Sequence, residues 1–207
     1  EGHEIAMGHT VSSANRIAYT MKEPIGVVAA ISAFNHPFNL AVHQVIPAIA
    51  VGCPVIIRPA TQTPMSAIKL VEILKEAGLP NGWAQAVVCD RNAGELLVTS
   101  PKTAFFTFIG SGPVGWYLNS KSSPGTRSAL EHGGVAPVIV EPDADIEAMI
   151  PDLVKGGFYH AGQVCVSVQR IFVHESIANT VASKIAEKAS KLVVGNQLDP
   201  KTEVGPL

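Results

Sequence analysis

Cysteine, charge and long apolar runs are all scarce in this chain, and each scarcity removes a class of protein. Three cysteines, Cys53, Cys89 and Cys165, are spread over 207 residues with no C-x-x-C and no His/Cys cluster. Neither a disulfide framework nor a zinc site is expected, and a reducing, cytoplasmic setting fits. Charged residues make up 15% of the chain and the net charge is -2, so nothing electrostatic points to nucleic acid or an anionic membrane as partner. The longest apolar stretch, VIPAIAVGCPVII (45–57), is broken by Pro47, Gly52 and Pro54 and is too short for a bilayer span. The opening EGHEIAMGH has neither the basic region nor the apolar core of a signal peptide, and without an initiator Met it reads as a fragment or a processed form.

What is present is apolar material enough for a core. At 47% hydrophobic, 207 residues would make one large domain or two small ones. Short β-rich runs stand at 27–31, 55–57, 86–89, 104–109, 138–140 and 171–173. Most are apolar throughout rather than alternating, as strands read when helices cover both faces of their sheet. Helix-like segments lie between them. TPMSAIKLVEILKEAGLP predicts a helix with Thr63 as N-cap, Pro64 in the first turn, Ile68, Val71 and Leu74 on one face, and a stop at Gly78. A second helix is expected over 176–192, with Ile177, Val181, Ile185 and Leu192 as its apolar stripe. The alternation predicts an α/β fold, a doubly wound, mostly parallel sheet followed by the start of a second α/β unit. HGGVAP (132–137) is the expected hinge, giving a polar hairpin segment over 1–24, a first unit over 25–132 and a second over 133–207.

Four positions could carry chemistry, and each has a plainer alternative. In FYHAGQVCVSVQR, Cys165 follows a helix-like stretch and a glycine, where an exposed nucleophile could sit; the alternative is a buried core cysteine. Glu131, closing the strand-like run of ALEHGG, is a candidate general base or a solvated strand end. Asn35 in ISAFNHPFNL could donate to a developing oxyanion or simply form a turn. Arg58, ending VIIRPATQTP, would meet a phosphate or ribose at the carboxyl end of a strand, or point into solvent. GSGPVG (110–115) matches G-x-G-x-x-G between a strand-like and a helix-like run, and Glu131 lies 21 positions beyond Gly110. On that fingerprint alone Glu131 would hold a ribose.

Taken together, EPIGVVAAISAFNHPFNL, VIIRPATQTP, FIGSGPVG, ALEHGG, AGQVCVSVQR and the closing EVGPL resemble the aldehyde dehydrogenase superfamily, in that family's order and near its spacings. The resemblance runs from about Gly8 to Leu207. It implies that Cys165 attacks an aldehyde carbonyl to give a thiohemiacetal, with the Asn35 amide and the Cys165 backbone N–H holding the oxygen. A thioester on Cys165 follows once NAD or NADP has accepted a hydride, and Glu131, recast from ribose ligand to general base, activates the water that hydrolyses it. Gly110 and Ser111 match the family's Gly-Ser at a helix start, which offers N–H groups and a positive dipole end to a pyrophosphate.

The sequence departs from the family's pattern at two cofactor positions. Arg58 stands where most members have Lys, and Thr61 where NAD-preferring members often have Glu. Loss of the carboxylate and gain of a guanidinium fork both favour a 2′-phosphate, so NADP is expected to be accepted at least as well as NAD. The resemblance further implies a small aldehyde substrate of semialdehyde or lactaldehyde type and a homo-oligomer, dimer or tetramer, for the full-length protein. The 1–24 segment is similar to part of the family's oligomerisation hairpin. A catalytically silent fragment or structural relative, and a coenzyme A-acylating member, are the alternatives. Intact Cys165, Glu131 and Asn35 argue against the first, and Glu131 against the second.

Overall fold

In the computed structural model, which describes residues 2–207, the polar opening makes a two-stranded antiparallel ribbon with a 3₁₀ turn, Val11–Ser13, between its strands. β1 (Glu4–Ile5) pairs with β2 (Ala18–Tyr19), Glu4 facing Tyr19. The alternating part follows in order: β3 (Val27–Ile31), α1 (Pro37–Ala50), β4 (Val55–Arg58), α2 (Met65–Glu76), β5 (Ala84–Ala86), α3 (Arg91–Thr99), β6 (Thr103–Ile109), α4 (Gly112–Lys121) and β7 (Arg127–Glu131). The strands form one sheet in the order β5-β4-β3-β6-β7, with β3–β4, β3–β6 and β4–β5 all parallel. Strand order reverses between β3 and β6, the topological switch point at whose carboxyl ends ligands bind in sheets of this kind. The expected doubly wound α/β architecture is present.

The central strand explains the continuous apolar runs. Val28 and Ala30 point to one face, where α1, α2 and β4 supply Val45, Leu70, Val55 and Ile57 to a single cluster. Ala29 and Ile31 point the other way beside their register partners Phe106 and Phe108. All four are at most 6% exposed, so β3 is buried on both faces. Two consecutive alanines there let helices approach closely from either side.

Three expected boundaries shift, each for a local reason. Thr63 does not cap α2: its hydroxyl donates to Phe34 O in the neighbouring loop (3.3 Å), and Pro64 takes the cap position. The far end of α2 is as expected, with Gly78 at φ +95° and Leu79 N–H donating to Leu74 O, a Schellman closure. The strand expected over 86–89 lies at 84–86, because its pairing with β4 ends at Ala86↔Ile57 and leaves Val88 half exposed. The expected 176–192 helix resolves into a 3₁₀ turn, Glu175–Ile177, and α6 (Ala178–Ala189).

Contacts divide the described chain into two units, residues up to Phe108 with Leu118–Ala129, and Ile109–Tyr117 with Leu130–Leu207. Within the second, β8 (Val138–Val140) pairs in parallel with β9 (Ile171–Val173), and between them runs α5 (Ile146–Phe158). α5 packs on α6 through Ile150, Val154 and Val181, joined by Ile177, Ile185 and Leu192, so the predicted stripe does face a core. Asp145 caps α5 by accepting from Ala148 N–H. On the exposed face of α6, a hydrogen bond from Lys191 and then its charge hold Glu187 below the ordinary carboxylate value. Among the described residues no helix is long and apolar enough to cross a membrane, and no group of three or more His, Cys, Asp or Glu could hold a metal.

Candidate active site

In the first unit the candidates lie at the carboxyl ends of two neighbouring strands. Asn35 is half-buried in the bend between β3 and α1. Arg58 is the last residue of β4, and its carbonyl accepts from Ser32 N–H (3.0 Å), which ties the two strand ends together. The Thr63 bond to Phe34 O adds a second tie. Thr61 is exposed, its hydroxyl donating to Gln62 Oε1 (3.3 Å).

Arg58 does not point into solvent. Its Nη2 donates to Cys89 O (3.1 Å), while Nε is buried and makes no hydrogen bond. Its stem lies over Gly94 in α3, where an added Cβ would stand 2.8 Å from Arg58 Cδ and 2.9 Å from Nε. Gly94 was not singled out from the sequence; the available signal was a lone glycine inside a helical stretch, which often marks close packing.

Two further polar atoms are buried without a hydrogen bond in the same region, Ser32 Oγ just past β3 and Gln44 Oε1. The other end of the Gln44 amide is well used: Nε2 lies 3.2 Å from Ile31 O, 3.1 Å from Thr107 O and 3.2 Å from Thr107 Oγ1. Three orphaned polar atoms at strand carboxyl ends are what a polar ligand or ordered water would satisfy, since buried polar groups are otherwise hydrogen-bonded. These atoms leave hydrogen-bonding capacity at the strand ends for a polar ligand.

In the second unit the glycine turn meets a strand end. Gly110 N–H donates to Glu131 O (3.0 Å), joining the glycine turn to the strand end. α4 opens directly after it, with Gly115 N–H donating to Ser111 O (3.0 Å), and Ser111 is exposed at that helix start. Glu131 is exposed, and beyond it the chain runs alongside the Cys165 segment. Gln169 N–H donates to Val135 O (3.0 Å), Gln169 Nε2 to Gly134 O (3.1 Å), and Val138 N–H to Arg170 O (3.0 Å). Gly134 lies so close that a Cβ there would be 3.0 Å from Cys165 O. That approach is a tertiary fact that the paired glycines of HGGVAP signalled only as flexibility.

Cys165 is exposed, in contrast to Cys53, which is 1% exposed, so the core alternative is overturned for Cys165 and holds for Cys53. The turn before it is strained. His160 and Ala161 have φ of 51° and 56°, and Gly162 follows at 75°. Two consecutive non-glycine residues in the left-handed region are rare, and such strain concentrates at functional sites. A cavity of about 240 Å³ opens beside this segment, lined by Asp152, Lys155 and Tyr159 and by Val164 and Val166, the two chain neighbours of Cys165.

Known proteins resemble the chain along nearly its whole length. The family model for the aldehyde dehydrogenase family matches residues 2–207. The chain is 44% identical to the 3-sulfolactaldehyde dehydrogenase of Priestia aryabhattai over all of its own length and 43% of that relative's. It is 42% identical to the lactaldehyde dehydrogenase of Methanococcus vannielii, over 97% of the chain and 44% of the relative. Among solved structures it is similar to the glyceraldehyde-3-phosphate dehydrogenase GapN of Methanocaldococcus jannaschii complexed with NADP. There the TM-score is 0.92 at 39% identity, over all of this chain and 45% of that one. A Mycobacterium tuberculosis aldehyde dehydrogenase complexed with NAD+ gives a TM-score of 0.87 at 36% identity, over 89% and 38%. The chain thus spans less than half the length of the proteins it matches. With the motifs in order, the sheet order and a match along nearly every residue in agreement, the chain belongs to the aldehyde dehydrogenase family.

Proposed function

We propose that the protein carrying this chain oxidises a short aldehyde to its carboxylic acid with NAD or NADP, through a covalent intermediate on Cys165. The observation that carries the reading is the exposed Cys165 thiol, which follows a strained turn, is backed by Gly134 and is flanked by a small cavity. The Cys165 sulfur attacks the carbonyl carbon, forming a C–S bond and moving charge onto the oxygen. The Cys165 N–H and the Asn35 amide are the donors assigned to that oxygen, where fixed dipoles lower the barrier most. The bound dinucleotide supplies the hydride acceptor. Glu131 then takes a proton from water, the resulting hydroxide attacks the thioester carbon, the C–S bond breaks, and the thiolate leaves.

Gly110 and Ser111 are assigned to the pyrophosphate, at the N-terminus of a ten-residue helix. Arg58 and Thr61 are assigned to the adenosine end, and we favour NADP at least equally with NAD. The guanidinium is docked and oriented by Cys89 O, and residue 61 carries no carboxylate to repel a 2′-phosphate. A lactaldehyde- or semialdehyde-type substrate suits a cavity of about 240 Å³, below the ~300–1,000 Å³ of drug-sized sites. Relatives named for lactaldehyde and 3-sulfolactaldehyde agree with that size. Homo-oligomerisation, as dimer or tetramer, is assigned to the segment around β1 and β2, where Val11 and Ile17 are 96% and 87% exposed; the assigned location is the cytoplasm.

The test is NAD(P)H production by the longest natural polypeptide containing this chain, over a panel of short aldehydes, with and without Cys165→Ser. Activity in the wild type and its loss in the variant support the reading. Equal activity, or equal inertness, refutes it.

A further inference from the structure

We propose that Ser167 is a positioning residue for Cys165, holding the nucleophile's loop onto the end of α5; the proposal rests on the reading of Cys165 as nucleophile. The last four carbonyls of a helix have no partner within it. In α5 two of these belong to Gly156 and Gly157, and the loop that carries Cys165 satisfies both. Ser167 Oγ lies 3.2 Å from Gly156 O and 3.3 Å from Gly157 O, and Val168 N–H donates to Gly156 O at 3.0 Å. Ser167 N–H also donates to Val164 O (3.0 Å), closing a turn with Cys165 inside it.

Ser167 is 2% exposed, while Cys165, two residues earlier, is open to solvent. The buried hydroxyl therefore fixes the frame from which the thiol projects. Gly156 is part of the device, and Gly157 contributes its carbonyl. A Cβ on Gly156 would stand 2.8 Å from Val168 Cγ2, and one on Gly157 3.5 Å from Val168 O. KGGF thus reads as a landing site for VSV, with the Val168 side chain packed where a side chain on residue 156 would stand. The clamp also closes the strained turn: His160 and Ala161 are held left-handed between the end of α5 and the segment that Ser167 anchors.

The experiment compares Ser167→Ala, Ser167→Thr and Cys165→Ser in the longest natural polypeptide, with lactaldehyde and NADP, rates normalised to native protein by near-UV circular dichroism. Ser167→Ala is expected to lower kcat about ten-fold, the size of one buried hydrogen bond felt in the transition state, with both KM values within about two-fold of wild type. Ser167→Thr, which keeps the hydroxyl, is expected to recover most of the loss. Wild-type kcat in Ser167→Ala, a loss confined to KM, or a Thr variant as slow as Ala overturns the positioning role. Retained activity in Cys165→Ser removes the nucleophile reading and this proposal with it. An inert Cys165→Ser beside a fully active Ser167→Ala removes the positioning role alone. Should Ser167→Ala fail to fold, Gly156→Ala displaces the same segment with the hydroxyl intact. The same kcat loss then supports the clamp, and wild-type kcat overturns it.

Discussion

Replacing Ala161 by glycine should stabilise the loop around Cys165, although glycine usually destabilises. Ala161 sits at φ 56°, ψ 33°, inside the left-handed region. Holding a side-chain-bearing L-residue there costs about 1–2 kcal/mol, which glycine does not incur. Against this, glycine adds freedom to the opened chain, an opposing contribution of about 0.4–1 kcal/mol. The balance is about 0.5–1 kcal/mol in favour of the closed loop, or about a two- to five-fold slower local opening. The assay is amide hydrogen exchange read by mass spectrometry over 156–170, which includes Ser167 N–H on Val164 O and Val168 N–H on Gly156 O. Ala182→Gly on the exposed, right-handed α6 is the control. There the same change should speed exchange, since glycine costs roughly 1 kcal/mol in a helix interior. Faster exchange at 156–170 in Ala161→Gly, matching the control in sign, refutes the argument from strain. If the strain is retained for catalysis, kcat should fall in Ala161→Gly even as protection rises.

Three smaller changes probe the surroundings. Gln44→Leu leaves the carbonyls of Ile31 and Thr107 without their amide donor and should destabilise the first unit by about 1–3 kcal/mol, read by urea denaturation. Gly94→Ala should push Arg58 off α3 and raise the KM for NADP several-fold more than that for NAD. In an Arg58→Ala background it should then have no further effect on NADP, a double-mutant cycle that isolates the contact. Gly134→Ala puts a Cβ 3.0 Å from Cys165 O and should reduce kcat with little change in the KM for NADP, measured by initial rates.

The sheet was largely legible because its physics is local. Val27–Ile31 and Thr103–Ile109 are mostly apolar runs, and both are strands, the first buried on both faces. Gly78 marked the end of α2 because no other residue enters its positive φ as readily. Thr63 misled because its hydroxyl had two possible partners, and the tertiary one, Phe34 O, prevailed. α1 was harder to read: Pro47 lies inside it, and the helix continues past the proline because its other residues bury Ala41, Val45 and Ala48 against the sheet. At the site, Cys165 and Glu131 were visible as candidates but separable from plainer alternatives only through the family resemblance. Gly94, Gly134 and Ser167 left almost no trace in the sequence. Each matters through a close approach between segments tens of residues apart or across a turn, which composition and periodicity do not encode.

The central claim is a covalent acyl group on Cys165 that Glu131 helps to remove. Glu131→Gln in the longest natural polypeptide, mixed with lactaldehyde and NADP and quenched in acid within one turnover, tests it directly by peptide mass spectrometry. The peptide containing Cys165 is expected to gain the mass of the lactoyl thioester, with one equivalent of NADPH formed and little turnover afterwards. An unmodified Cys165 peptide alongside continued NADPH production would contradict it.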